Sequence, residues 1–136
     1  MKNLLAGIMT KCAGSAFSTD LGGRIYEANA PQDADYPYCV FSIVGGSDEG
    51  TFTEMIDDVM IQFSLFSISS GPGEVGTAYA DLIALFDNAI LTITGDVCLS
   101  CTRNGPPMTM FDYVVTDTGE VGLRHGAVDY SIMVQD

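Results

Sequence analysis

The sequence is poor in positive charge. Lysine and arginine number 5 against 18 acidic residues, which gives a formal net charge of −13. A protein that binds nucleic acid directly needs clustered basic side chains to neutralise phosphates, and here they are few and scattered. The composition therefore argues against direct nucleic-acid binding. The acidic surplus either serves solubility or keeps some surface from binding polyanions.

Metal-ligating residues are scarce as well. The only histidine is His125, and Cys98 with Cys101 forms a single CxxC. A structural zinc site needs a second ligand pair, and residues three apart on a strand point to opposite faces. We therefore expect all four cysteines to be buried, reduced thiols, and their scatter suggests an intracellular, reducing compartment.

Catalytic signatures are also missing. No serine or cysteine lies in a nucleophile-like context, and no GxxxxGK[ST] phosphate-binding loop is present. Asp57 and Asp58 are neighbours on a predicted strand, where they would face opposite ways and would not share a proton. The sequence therefore predicts no catalytic residue, no cofactor and no metal.

Long apolar runs are absent too. The N-terminal run, residues 1–9, is too short for a signal peptide and fits an amphipathic helix better. No stretch approaches the length that crosses a membrane. With 136 residues, we expect one domain, residues 1–136, without a membrane segment.

A strand followed by a helix, within residues 57–88, is the strongest pattern in the chain. Apolar side chains alternate along the predicted strand, at Val59, Ile61, Phe63 and Leu65. After the break at residues 69–73, apolar side chains recur at helical spacing, at Val75, Tyr79, Leu82, Ile83 and Phe86. A strand and a helix with one apolar side each must cover each other.

The other segments add to that pair. An opening helix ends near residues 14–17 and carries one apolar stripe, at Leu4, Leu5, Ile8, Met9 and Cys12. Residues 90–93 are irregular or a brief strand. Further strands are predicted at 24–26, 38–44, 97–103, 108–115 and 128–135. Asn104-Gly105 predicts a hairpin between two of them. The predicted fold is α+β: a mixed, largely antiparallel sheet of about five or six strands with two helices packed on one face.

One strand face is unusual because it is half apolar. Met60, Gln62 and Ser64 alternate with the buried positions of the central strand. They are too apolar for an ordinary solvent-facing surface. Either a neighbouring copy covers them, or a second helix of the same subunit does.

Several segments together resemble a known family. The most specific are Gly22-Gly23-Arg24-Ile25-Tyr26, Ala30-Pro31-Gln32 and Tyr36-Pro37-Tyr38. The opening Leu4-Leu5, the 40–42 and 61–66 strands and the closing strand at 122–132 also match. In this order the segments resemble the tail-completion, or tail-terminator, family of long-tailed bacteriophages, and the likeness spans nearly the whole chain.

The resemblance implies a structural, non-enzymatic function. It implies a ring of identical subunits, usually six, that caps the head-proximal end of the tail tube and stops its polymerisation. The expected partners are other copies of the chain, the major tail tube protein and the head-completion or connector protein. DNA would pass through the lumen without specific binding. The expected location is the tail–head junction of the virion, after assembly in the host bacterial cytoplasm.

Two alternatives stay open at this point. One is a neck or head-completion adaptor of similar fold, and the other is a small ligand-binding or enzymatic α+β domain. A six-fold assembly favours a ring protein, whereas a stable monomer with a filled pocket favours the ligand-binding domain.

The ring hypothesis assigns functions to two groups of residues. Five carboxylates lie within eleven residues and are predicted to face the channel: Asp48, Glu49, Glu54, Asp57 and Asp58. An acidic wall repels the phosphates of passing DNA. Contacts with a subunit or partner are predicted at Met60, Gln62, Ser64, Arg103, Arg124 and His125.

Overall fold

The computed structural model describes residues 3–48, 56–68, 73–116 and 119–135. These residues form three helices: α1 (Leu4–Cys12), α2 (Ala16–Asp20) and α3 (Gly73–Phe86). They also form seven strands: β1 (Ile25–Glu27), β2 (Tyr38–Asp48), β3 (Ile56–Ser67), β4 (Thr92–Ile93), β5 (Asp96–Arg103), β6 (Met108–Thr116) and β7 (Gly119–Gln135).

All seven strands belong to one sheet. Its order is β1-β2-β3-β7-β5-β4, and β6 pairs with β7 beside β5. Strand β1 runs parallel to β2, and the other pairs are antiparallel. The predicted mixed, largely antiparallel α+β sheet is confirmed. The described residues contain seven strands instead of five or six because the brief segment near residue 92 forms β4.

The core lies on one face of this sheet, under the helices. The odd positions of β3, from Val59 to Leu65, are at most 2% exposed. Phe63 is at the centre, with its ring centroid 5.9 Å from Phe41, 4.9 Å from Phe86 and 5.9 Å from Tyr130. Each large side chain buried in this way contributes about 1.5–3 kcal/mol to folding. The predicted pairing of central strand and helix is confirmed.

The N-terminal helix is divided, contrary to the single helix predicted there. Helix α1 ends at Cys12, and Gly14 takes a left-handed φ of +72°. Ser15 then caps a new helix, because its Oγ accepts a hydrogen bond from the Ser18 amide at 3.1 Å. The chain is therefore helical as far as Asp20, beyond the end predicted near residues 14–17. All three described helices contribute to the same core cluster.

The hairpin predicted at Asn104-Gly105 is wrong. Strands β5 and β6 lie one after the other along the same edge of β7, opposite its residues 130–135 and 119–127. The Asn104 amide still donates to the Asp129 carbonyl at 2.8 Å. Pro106 and Pro107 have no amide hydrogen, so they interrupt the ladder without reversing the chain.

The expectation that Cys98 and Cys101 face opposite ways is also wrong. The register of β5 against β7 shifts between Cys98 and Ser100, which leaves Leu99 as an extra residue. The shift turns both thiols to the helix side, where they are 5% and 1% exposed.

Candidate interface: the uncovered sheet face and the arm

The side of the sheet opposite the helices is here called the uncovered face. Met60, Gln62 and Ser64 lie on it, and each is half-buried. The buried side chains of the three described helices all belong to the core cluster on the other side. The interpretation in which a helix of the same subunit covers these residues is therefore not supported by the described chain. Contact with a neighbouring copy stays a prediction.

A row of aromatic rings crosses one end of the uncovered face. The strand register places Tyr38 opposite Phe66, and Phe66 opposite His125. Tyr38 stacks on Phe66 with a centroid distance of 4.9 Å, and Phe66 on His125 with 4.4 Å. Tyr26 and Tyr36 pack against Tyr38 at 6.1 and 5.3 Å. Pairs of this kind add about 0.5–1.5 kcal/mol beyond burial, so the row fixes this end of the face.

His125 is a packing residue in this row. Burial lowers the pKa of its imidazole below the ordinary value of 6.5, so the ring is neutral at pH 7. It lies nearly parallel to the Phe66 ring, with an interplanar angle of 12°. It shares the uncovered face with Met60, Gln62 and Ser64.

Arg103 lies elsewhere, on the helix side of β5. Its Nε is 3.3 Å from Asp87 Oδ1, and the Tyr130 hydroxyl donates to the same oxygen at 2.6 Å. Burial, followed by the hydrogen bond and charge of Asp87, raises the pKa of Tyr130. This bridge ties the end of α3 to the sheet within one subunit. Arg103 is therefore not grouped with the predicted contact residues on the uncovered face.

Arg124 also lies on the helix side of the sheet. It pairs across the ladder with Phe111, and its guanidinium carbon is 5.2 Å from the centroid of that ring. A cation in this position is attracted by the negative face of the ring. Four of the six predicted contact residues therefore share one surface, and the two arginines do not.

The predicted acidic group is described only in part. Glu49 and Glu54 lie outside the described residues, and for Asp48 only the strand position opposite Asp57 is described. Asp57 alternates onto the helix side of β3, whereas Asp58 lies on the uncovered face. Asp129 also lies on the uncovered face, opposite Gln62. The described strand positions of the uncovered face carry no lysine or arginine.

Strands β6 and β7 form a projection that was not predicted from the sequence. We call it the arm: residues 108–116 and their partners, residues 119–127. The last pair between β3 and β7 is Ser67 with Arg124, so residues 112–116 and 119–123 extend past β3. The arm exposes five large apolar side chains: Met108 (68%), Met110 (60%), Phe111 (54%), Tyr113 (61%) and Val115 (82%). Apolar residues at both odd and even positions of one strand were the signal that could have revealed it.

The helix-side face of the arm forms an apolar platform. A Cβ built on Gly122 would lie 2.7 Å from Phe111 Cζ, so the ring covers that glycine. Phe111 meets Tyr113 edge to face at 5.3 Å. Val115 continues the row toward the tip of the arm.

Within the described ranges, no three or more His, Cys, Asp or Glu side chains are placed to hold a metal ion. The four cysteines are buried free thiols, as predicted. Burial raises the pKa of Cys12 and of Cys101 to about 12, so these thiols are protonated and unreactive at pH 7.

The three described helices have 9, 5 and 14 residues. None of them is both long and apolar enough to cross a bilayer.

Comparison with known proteins agrees with the resemblance seen in the sequence. Among solved structures, the chain is similar to a chain of the virion of a native gene transfer agent particle, with a TM-score of 0.73 and 14% identity. The match covers 99% of this chain and 96% of the other, and at this identity it shows the fold. No curated protein sequence gives a significant match. The family model for tail completion protein gp17 matches residues 4–135, and the protein therefore belongs to this family of bacteriophage virion structural proteins.

Proposed function

We propose that the chain forms a ring of six identical subunits that caps the head-proximal end of the tail tube. The ring stops tube polymerisation and offers a docking surface to the head connector. The observation that carries this proposal is the match of the tail completion family over residues 4–135. The function is structural, and the partners are other copies of the chain, the tail tube protein and the connector protein.

The geometry supports a ring because it offers two different surfaces for neighbours. A closed ring requires head-to-tail contacts, in which one surface of a subunit meets a different surface of the next. The arm is one such surface, because it exposes apolar side chains, and the body of the next subunit offers the other.

The deletion of the gene tests the capping function directly. Without a cap, tubes continue to polymerise, so electron microscopy of lysates is expected to show overlong tubes and unattached heads. Complementation with the wild-type chain is expected to restore tails of one length. Free tails of normal length beside unattached heads would overturn capping and favour a neck adaptor. Six-fold density for this chain at the tube end in a virion map would support the ring.

The acidic residues belong to the same proposal. We propose that Asp58 and Asp129, which both lie on the uncovered face, line the channel and repel passing DNA. This is supported by the two aspartates and by the lack of lysine and arginine at the described strand positions of the uncovered face.

The neighbouring pair Asp57 and Asp58 provides a matched test of the channel wall. Asp58→Lys is expected to slow DNA ejection and to lower phage titre, because it places a cation on the proposed wall. Asp57→Lys serves as the control, because this side chain lies on the helix side of the strand. Equal titres for Asp58→Lys and wild type would contradict the channel assignment and leave the cap untouched.

A further inference from the structure

The arm exposes an unusual amount of apolar surface. A large side chain presents about 200 Å² when fully exposed, so the three platform side chains, Phe111, Tyr113 and Val115, expose on the order of 400 Å² on one face of the arm. The largest apolar patch on a typical monomer is about 300–600 Å² and is often functional. Here this area lies on a ribbon only two strands wide.

The body of the subunit gives the outer half of the arm little support. Five residue pairs, from Asp112–Leu123 to Thr116–Gly119, lie beyond the last pair of β3, which is about 17 Å of ribbon. Among the described residues, β6 pairs with β7 alone. An isolated two-stranded ribbon is marginally stable in water and needs a third strand or a packing partner. A ribbon of this length with apolar faces therefore requires a partner surface.

We propose that the arm packs on a neighbouring copy of this chain, through the platform formed by Phe111, Tyr113 and Val115. The inference rests on the proposed ring and deepens it, because it names the surface that joins one subunit to the next. Each subunit gives its arm to one neighbour and receives the arm of the other. This is the head-to-tail arrangement that a ring requires.

The area and charge of the arm favour a second copy as the occupant. A specific interface buries about 800 Å² per partner, and the platform supplies about half of that as exposed apolar side chain, which suits the apolar centre of such an interface. Copies with a net charge of −13 repel one another, so their contact must form where apolar side chains predominate. The uncovered face continues onto the arm, because His125 of that face pairs with Met110 of β6.

A photo-reactive residue at the arm identifies the occupant in assembled virions. In one variant p-benzoylphenylalanine replaces Tyr113, which is 61% exposed. In the control variant it replaces Ile90, which is 63% exposed but lies outside the arm. Irradiation is expected to give adducts at multiples of the chain mass from position 113, and at least tenfold fewer from position 90. Adducts of position 113 with another virion protein alone, or no adducts, would overturn the proposal.

A double substitution tests whether the contact is needed. Tyr113→Ser with Val115→Ser is expected to lower ring formation on tube ends at least tenfold, because buried apolar anchors dominate interface energies. Its Tm is expected to stay close to wild type because both side chains are exposed, and Ile90→Ser is the matched surface control. Rings that form normally from the double variant would overturn the role of the arm and leave the ring itself standing. Self-adducts from position 113 in virions without six-fold density at the tube end would support the arm and overturn the cap.

Discussion

Strand β7 passes through two regions that differ sharply. In its second half the helix-side positions Val128, Tyr130, Ile132 and Val134 are at most 2% exposed. In its first half the same positions are Glu120, Gly122, Arg124 and Gly126, so the apolar layer stops although the ladder continues. Helix α3 has 14 residues and spans about 21 Å, whereas the 17 residues of β7 span about 56 Å. The helix layer therefore sets the extent of the core, and backbone pairing alone carries the sheet beyond it.

The largest expected effect separates the two regions by stability. Phe63→Ala removes a fully buried ring that contacts three other aromatic rings, and we expect it to lower the free energy of unfolding by about 3–5 kcal/mol. Phe111→Ala removes a ring that is 54% exposed on the arm, and we expect a loss below about 1 kcal/mol. Urea unfolding of both variants measures the difference. Similar losses would mean that the arm belongs to the cooperative core.

Two glycines of β7 sharpen the boundary between the regions. A Cβ at Gly126 would clash with the hydroxyl and ring of Tyr79, which α3 holds only 5% exposed. We expect Gly126→Ala to cost about 1–3 kcal/mol, because a buried ring must shift. Gly122→Ala meets only the far end of the exposed Phe111 ring, which can swing aside, so its cost is expected to be below about 1 kcal/mol. Thermal unfolding of the two alanine variants measures both losses of stability. A larger loss for Gly122→Ala than for Gly126→Ala would show that the core does not end at Gly126 as described.

The smallest expected effect lies inside the covered region, between α2 and α3. A hydrogen bond with Asp81, with burial and the Asp81 charge acting in the same direction, raises the pKa of Asp20 to about 6. Because this folded pKa lies above the ordinary value of 3.8, the folded state binds more protons than the unfolded state between about pH 4 and 6. The stabilisation is fully present below that window and is lost as the pH rises through it.

Asp81→Asn tests this coupling. The variant is expected to have a higher Tm than wild type at pH 7, where the two carboxylates repel each other, and a similar Tm near pH 4. Tm measured for both proteins from pH 4 to pH 8 gives the comparison. Parallel curves would show that the two carboxyl groups do not share a proton in the folded state.

The covered region was largely predictable from the sequence, since its apolar periodicity reflects the layer that it faces. The alternation from Val59 to Leu65 gave the central strand, and the stripe from Val75 to Phe86 gave the helix over it. Four predicted contact residues share the uncovered face because they follow from the same alternation or from the closing strand.

The arm was not predictable in the same way, because no layer of the subunit imposes a pattern on it. The strand predicted from residue 128 begins at Gly119. Its earlier helix-side positions carry no apolar side chain, because Gly126 leaves room for Tyr79 of α3 and because Glu120 and Gly122 lie on the arm. The Asn104-Gly105 signal suggested a hairpin because turn chemistry is local, whereas the long edge of β7 holds both strands in line. The bulge at Leu99 was hidden for a related reason, since its register depends on a partner far along the chain.

The inward turn of both CxxC thiols at that bulge has a practical consequence. All four cysteines lie buried in the core, so an aromatic disulfide reagent can react only when the helix layer lifts from the sheet. The rate at which the coloured aromatic thiolate is released, at a fixed reagent concentration, then reports how often the helix layer opens. It does so without a label and without interference from the arm, which carries no sulfhydryl.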